Sequence, residues 1–155
     1  MAPAGGGART MSSKGRSLAQ IVRKGWDVAQ AKGLTKWLPV SNRAQQGLFG
    51  GSDVRSGNKV SEDGGNKSRR KWYPNVQRKR LWSEELQESF QLKVTARVLK
   101  TIDKYGGLDA YLLNTSDRNL ASLPGFALRE ELRTARALRA KHAQTAAAAA
   151  SPSAQ

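Results

Sequence analysis

Helical and alternating apolar spacings divide this chain into a few short elements separated by polar stretches. In SLAQIVRKGWDVAQAK, Leu18, Ile21, Val22 and Trp26 form one apolar stripe at i, i+3, i+4 and i+8. Ser17 with Gln20 three residues on fits a capping box, Gly25 weakens the helix, and Gly33 is a stop. Phe90, Leu92 and Val94 alternate with Gln91 and Lys93, which predicts a strand with one apolar face. Trp82 and Phe90 flank the connection SEELQES, so a hairpin is expected there. Thr95 is then an N-cap for the helix ARVLKTIDKY, which carries Val98, Leu99 and Ile102 on one face and ends at Gly106. LDAYLL, residues 108–113, reads as a second short helix covering the sheet. Pro124 and Gly125 precede a final helix from Phe126 to about His142, on which Arg129, Arg133, Arg136 and Arg139 share a face. Residues 1–15 are small and glycine-rich, residues 40–65 are polar without apolar periodicity, and an alanine run with SPSAQ closes the chain.

Charge sharpens this picture. The 155 residues hold 27 Lys and Arg against 12 Asp and Glu, a net +15. By blocks the balance is +6 over residues 1–40, +7 over 41–80, −1 over 81–120 and +3 over 121–155. The near-neutral block has the best apolar periodicity, so a compact part is expected from about Lys67 to residue 115, with flanks that lie on something else. A chain so basic repels itself unless a polyanion neutralises it, and counterion release favours that binding. The membrane surface is the rival polyanion, although no apolar run reaches the ~18 residues that a span requires. With no cysteine there is no disulfide, thiolate nucleophile or cysteine zinc site. The lone His142 cannot build a metal site or a triad, and no phosphate-binding glycine loop is present. Glu84 and Glu85 are best read as a solvated turn, and Asp103 and Asp109 as residues near helix ends. We therefore expect no enzyme, no cofactor, no metal and no small-molecule substrate.

The segment NKSRRKWYPNVQRKRLW concentrates the chemistry. Lys67, Arg69, Arg70, Lys71, Arg78, Lys79 and Arg80 lie in it with no acid between them, interleaved with Trp72, Tyr73 and Trp82. Arginine presents a planar fork that matches phosphate and stacks on bases. Aromatic rings stack on the splayed bases of folded RNA. Asn66, Asn75 and Gln77 can bond base edges or 2′-hydroxyls. Pro74 splits the segment into two extended pieces, the first an edge strand at best. Of the two adjacent aromatics, Trp72 is expected to pack on the core and Tyr73 to face RNA. Irregular basic tails on a small core favour folded rRNA over duplex DNA.

Residues 57–113 also resemble the bacterial-type family of large-subunit ribosomal protein twenty-eight. The resemblance is carried by Gly57-Asn58 and Val60-Ser61, then N-K-S-R-R, Trp72 and Pro74-Asn75-Val76-Gln77. Arg80 and Trp82 follow, with L-K-V-T-A at 92–96, L-K-T-I-D-K at 99–104 and G-L-D at 107–109. The resemblance implies a small α+β element of short strands and two helices embedded in large-subunit rRNA, without catalysis. Many bacterial members carry a Cys-containing turn, and some bind zinc. Here Leu48-Phe49-Gly50-Gly51 stands near that place, which again implies no metal. The wording SEDGGNKSRRKW and the Trp-Tyr before Pro are similar to plant-type mitochondrial members.

These readings predict an α+β chain: a small three-stranded or hairpin element with two short helices, flanked by basic tails and terminal helices. The expected division is a helical extension over 1–45, a core over 46–115 and a helical, alanine-rich extension over 116–155. The partners expected are large-subunit rRNA and neighbouring large-subunit proteins of the mitochondrial ribosome, with no membrane. Asn58 and Lys59 join the strand residues as RNA contacts on a threading loop, and Arg129, Arg133 and Arg136 do so on the final helix. A core confined to the centre is too small to stand alone, so the free chain is expected to be largely unfolded. The helix from Ser17 reads equally as an amphipathic targeting segment or as a helix docked on a ribosomal surface. The rival class is a basic membrane- or DNA-binding module.

Overall fold

The computed structural model describes residues 16–150, with side chains to residue 145; the glycine-rich start and the SPSAQ end lie outside the described residues. The architecture is α+β. Helix α1 (Leu18–Ala31) is followed by a 3₁₀ turn (Leu34–Trp37) and a single-turn helix α2 (Asn42–Gln45). Strands β1 (Arg55–Val60), β2 (Lys67–Trp72), β3 (Val76–Ser83) and β4 (Glu88–Thr95) come next. Helices α3 (Ala96–Tyr105), α4 (Leu108–Asn114), α5 (Asp117–Leu120) and α6 (Leu123–Ala150) complete the chain.

Local signals set most of the boundaries. The Ser17 side chain accepts from the Gln20 backbone while the Gln20 side chain accepts from the Ser17 N–H, closing the capping box. Thr95 Oγ1 accepts from the Val98 N–H to start α3, and Gly106 ends it with φ +84°, the left-handed cap that glycine adopts without strain. The final helix begins three residues earlier than its sequence suggests. Ser122 Oγ accepts from the Gly125 N–H at 3.2 Å, and Pro124 sits in the first turn, where its missing N–H has no helical partner to lose.

The strands pair as two separate antiparallel hairpins, β1 with β2 and β3 with β4, rather than as one three-stranded element. The polar stretch expected to be irregular thus contains a regular strand. RSGNKV has no apolar alternation because the β1–β2 hairpin buries neither face; β2 is exposed along its whole length and Gly57 alone is half-covered in β1. The β3–β4 hairpin has the predicted face, with Phe90, Leu92 and Val94 at 2% exposure or less. Leu48 extends this sheet: its N–H donates to the Lys93 carbonyl and its carbonyl accepts from the Thr95 N–H.

The core is not confined to the centre. Phe90, Leu92 and Val94 pack with Val98 and Ile102 of α3, and with Leu108, Tyr111 and Leu112 of α4. The same cluster takes Ile21 and Ala29 from α1 and Leu123, Phe126, Leu128 and Leu132 from α6. Both flanks therefore fold onto the middle. The expectation of a free chain without stable structure assumed a smaller core than this one.

Helix α1 docks on α6 of the same chain. Its ion pairs fix the register: Arg16 with Glu88 and Glu131, both at 2.6 Å, Lys24 with Glu131 at 2.7 Å, and Lys32 with Glu130. Arg16 holds the Glu88 carboxyl below the usual carboxylate range by its hydrogen bond, partly opposed by burial. Gly25 is buried at this crossing, and a Cβ there would clash with the Leu123 carbonyl. The glycine that weakens α1 as an isolated helix is what lets the two helices touch. Gly25→Val is expected to lower stability by ~1–3 kcal/mol, because the obstacle is backbone and cannot swing aside. Urea unfolding of the full chain measures it, and an unchanged midpoint would mean that α1 is not packed on α6.

Candidate nucleic-acid interface

Alternation along each strand sorts the basic residues into faces. In the first hairpin Asn58 pairs with Arg69, Gly57 with Arg70, Lys59 with Ser68 and Arg55 with Trp72. Asn58, Lys67, Arg69 and Lys71 therefore share one face, and Arg55, Lys59, Arg70 and Trp72 share the other. Both faces are open to solvent. In the second hairpin Arg78 pairs with Lys93, Arg80 with Gln91 and Trp82 with Ser89, which makes the outer face basic and aromatic. Gln77 and Lys79 lie on the opposite side of β3, across from Val94 and Leu92, and stay exposed along the free edge of that strand.

Trp72 does not pack on the core. It is 43% exposed, and its ring lies over Gly57 on the neighbouring strand with the Arg70 guanidinium 5.5 Å from its centre. A Cβ at Gly57 would come within 3.0 Å of that ring. A bare glycine leaves the tryptophan room to lie flat there, and the result is an arginine-and-indole stack of the kind that meets splayed bases. Tyr73, 72% exposed, follows at once, ahead of Pro74 and Asn75 in the link to β3. Asn66 closes the first hairpin turn, accepting from the Ser61 N–H through its carbonyl.

The electrostatics divide the molecule in two. Among the described residues, the ion pairs join carboxylates to Arg16, Lys24, Lys32, Arg129, Arg136 and Arg139. None involves Arg55, Lys59, Lys67, Arg69, Arg70, Lys71, Arg78, Lys79 or Arg80. Internal ion pairing thus compensates part of the charge at α1 and α6 and none of the charge on these strand residues. Uncompensated, exposed cations on two adjoining hairpins form a surface that attracts a polyanion.

One candidate must be withdrawn. Arg129 is 4% exposed, with its Nε donating to the Leu112 carbonyl at 2.6 Å, one terminal nitrogen to the Thr115 carbonyl at 2.5 Å and the other to Asp117. It is a structural clamp that ties the α4–α5 loop to α6, and no donor fork is left to face RNA. Burial pushes its pKa down, against the pull of Asp117. Arg133 is exposed. Arg136 is exposed but reaches Glu85 in the β3–β4 turn at 3.1 Å, beside Arg139 at 2.6 Å. Arg55 joins the surface without a signal of its own in the sequence; a cation at the end of a strand paired with the basic one is recognised only once β1 is known.

The first hairpin is held by its own pairing alone, and an isolated two-stranded hairpin is marginal in water. Amide hydrogen exchange on the free chain should therefore show rapid exchange over residues 55–72 and protection in β4, α3 and the first half of α6. Equal protection in both regions would contradict that division.

Residues 44–105 match the family model described as the Ribosomal L28 family. The chain is 54% identical over 74 residues to large ribosomal subunit protein bL28m of Neurospora crassa, covering 48% of this chain and 27% of that protein. It is 49% identical over 82 residues to the bL28m of Schizosaccharomyces pombe, covering 53% and 47%. With the bL28 of Orientia tsutsugamushi strain Ikeda it is 46% identical over 71 residues, covering 46% of this chain and 74% of the relative. The chain thus spans from about a quarter to a half of the two fungal relatives. The matched family region runs from α2 to the end of α3, so it contains both hairpins and excludes α1 and α6.

Proposed function

Because the chain belongs to the ribosomal L28 family, we propose that it is a structural, non-catalytic constituent of a mitochondrial large ribosomal subunit, where it binds and stabilises large-subunit rRNA. The observation that carries the RNA contact is the run of exposed cations on the strands, none of which has an acidic partner among the described residues. In this reading Lys67, Arg69, Arg70 and Lys71, with Asn58 and Lys59, grip phosphates from both faces of the first hairpin. Asn66, Tyr73, Asn75 and Gln77 meet bases and 2′-hydroxyls, and Arg78, Lys79 and Arg80 carry the contact along β3. Arg133 and Arg136 extend it onto α6, which with α1 also offers a surface to neighbouring large-subunit proteins. The similarity to two bL28m proteins supports the mitochondrial ribosome as the location.

The rival is a basic membrane- or DNA-binding module. Among the described residues no helix is long and apolar enough to cross a membrane. Sucrose-gradient sedimentation of a lysate containing the tagged full-length chain decides between the two. After EDTA separates the subunits, the chain should travel with the large subunit and with mitochondrial rRNA. Recovery at the top of the gradient would end the ribosomal reading, and flotation with RNA-free vesicles would move the membrane module to first place.

A further inference from the structure

A second surface lies outside the basic strands. Helices α3, α4 and α5, with the loop at Gly50, enclose a cleft of about 420 Å³. That is within the roughly 300–1,000 Å³ usual for small-ligand pockets. None of its lining residues is acidic, and its one formal charge is Arg97 in the first turn of α3. One wall is aromatic: Tyr105 and Tyr111 stand 6.4 Å apart with their rings tilted by 49°. Burial pushes the Tyr111 phenol up to about 12, so it stays neutral and cannot repel an anion. Facing groups are amides and hydroxyls, from Asn114, Asn119 and Thr101. Thr115 also lines the cleft, and its Oγ1 is buried with no hydrogen-bond partner.

The cleft adjoins the basic surface. The Ala96 N–H donates to the Asn75 carbonyl at 2.9 Å, which sets the first turn of α3 against the start of β3. Arg97 therefore stands where the strand cations end and the cleft begins. A polynucleotide lying along β3 meets Arg97 as the next cation. We propose that this cleft receives one unpaired nucleotide of RNA, its base against the Tyr105–Tyr111 wall and its phosphate at Arg97. The inference rests on the rRNA-binding reading above and assigns it a nucleotide-sized site. A peptide from a neighbouring protein fits less well, since Val98 is the only aliphatic side chain in the lining.

The test is chemical probing of rRNA in large subunits that carry the tagged full-length chain, with a base-methylating reagent and a 2′-hydroxyl acylating reagent. Thr101→Trp fills the cleft from a half-exposed helix position, Arg97→Glu reverses its charge, and Arg97→Lys keeps it. With Thr101→Trp or Arg97→Glu, one nucleotide protected by the original chain should become about tenfold more reactive, as the loss of one stacked base implies. Arg97→Lys should leave that protection in place, and protections beside the hairpins should persist in all three. Should Thr101→Trp fail to assemble, Arg97→Glu, on an exposed side chain, still decides the matter. Identical reactivity maps, or a zero-length cross-link from the cleft to another protein, would overturn the nucleotide site while leaving the rRNA-binding reading intact. A chain that protects no rRNA at all would remove that reading itself.

Discussion

Replacing Lys67, Arg69, Arg70 and Lys71 together with Gln should weaken rRNA binding severely while leaving the fold unchanged. The four side chains are exposed, and β2 is held through its backbone pairing with β1, so nothing in the core depends on them. Each phosphate that is no longer neutralised reduces the salt dependence of binding, by up to ~0.9 in the log–log slope for duplex and ~0.7 for single strands. Four duplex phosphates therefore account for up to ~3.6 of that slope. Affinity for an rRNA fragment should fall most at low salt and converge with that of the original chain as salt rises. Ile102→Asp is the contrasting change. Ile102 is 5% exposed in the core, and an unpaired buried carboxylate costs more than ~3 kcal/mol. That variant should fail to join the large subunit at every salt concentration. Leu99→Asp, at a half-buried position, should do the same to a smaller degree. Filter binding across a salt series, with far-UV circular dichroism of each variant, separates the two classes. If the Gln variant melted early, or if both classes lost binding equally at all salts, the separation of an RNA surface from a core would be wrong.

That separation is partly legible in the sequence, for a physical reason. Contacts within a few residues leave a local trace. Ser17 with Gln20, the Thr95 cap, the left-handed Gly106 and the alternation of Phe90, Leu92 and Val94 all form as their spacing predicts. Contacts made across the chain leave none. Strand β1 is invisible alone because both its faces meet solvent, and its identity is conferred by the partner it pairs with. Gly25 reads as a helix weakener until Leu123, nearly a hundred residues on, is brought against it. Of two adjacent aromatics in an edge strand one is expected to face the core, which places Trp72 there, yet a glycine across the strand gives it a seat within the hairpin. The cation density of residues 67–80 is plain from composition. That these cations lack internal partners requires the whole molecule, since a carboxylate from any distance could have met them. The cleft at Arg97 leaves no sequence signal, because its walls come from three helices and a distant loop.

Arg129 shows how a regular pattern misassigns a residue, and its replacement has the second large expected effect. Arg129, Arg133, Arg136 and Arg139 lie on one side of α6, which reads as a uniform cationic face. Helical spacing says which residues share a side, not what that side meets. At the first of the four, the α4–α5 loop folds over the helix and offers two carbonyls and Asp117. Arg129→Ala strips donors from the Leu112 and Thr115 carbonyls and removes the partner of Asp117. The carboxylate is 43% exposed and can recover water, but the carbonyls beside a buried guanidinium are less well placed to do so. The cost is expected to be about 3 kcal/mol. Arg129→Lys should restore little, because a single ammonium cannot span the acceptors that the planar fork reaches. Arg133→Ala, on the same face but exposed, should change stability by no more than ~0.5 kcal/mol and lower RNA affinity in a salt-dependent way. Urea unfolding and a salt series on the three variants would decide. An Arg129→Ala chain as stable as the original, with a shallower salt slope, would return Arg129 to the RNA surface and remove the clamp that positions the loop at one edge of the cleft.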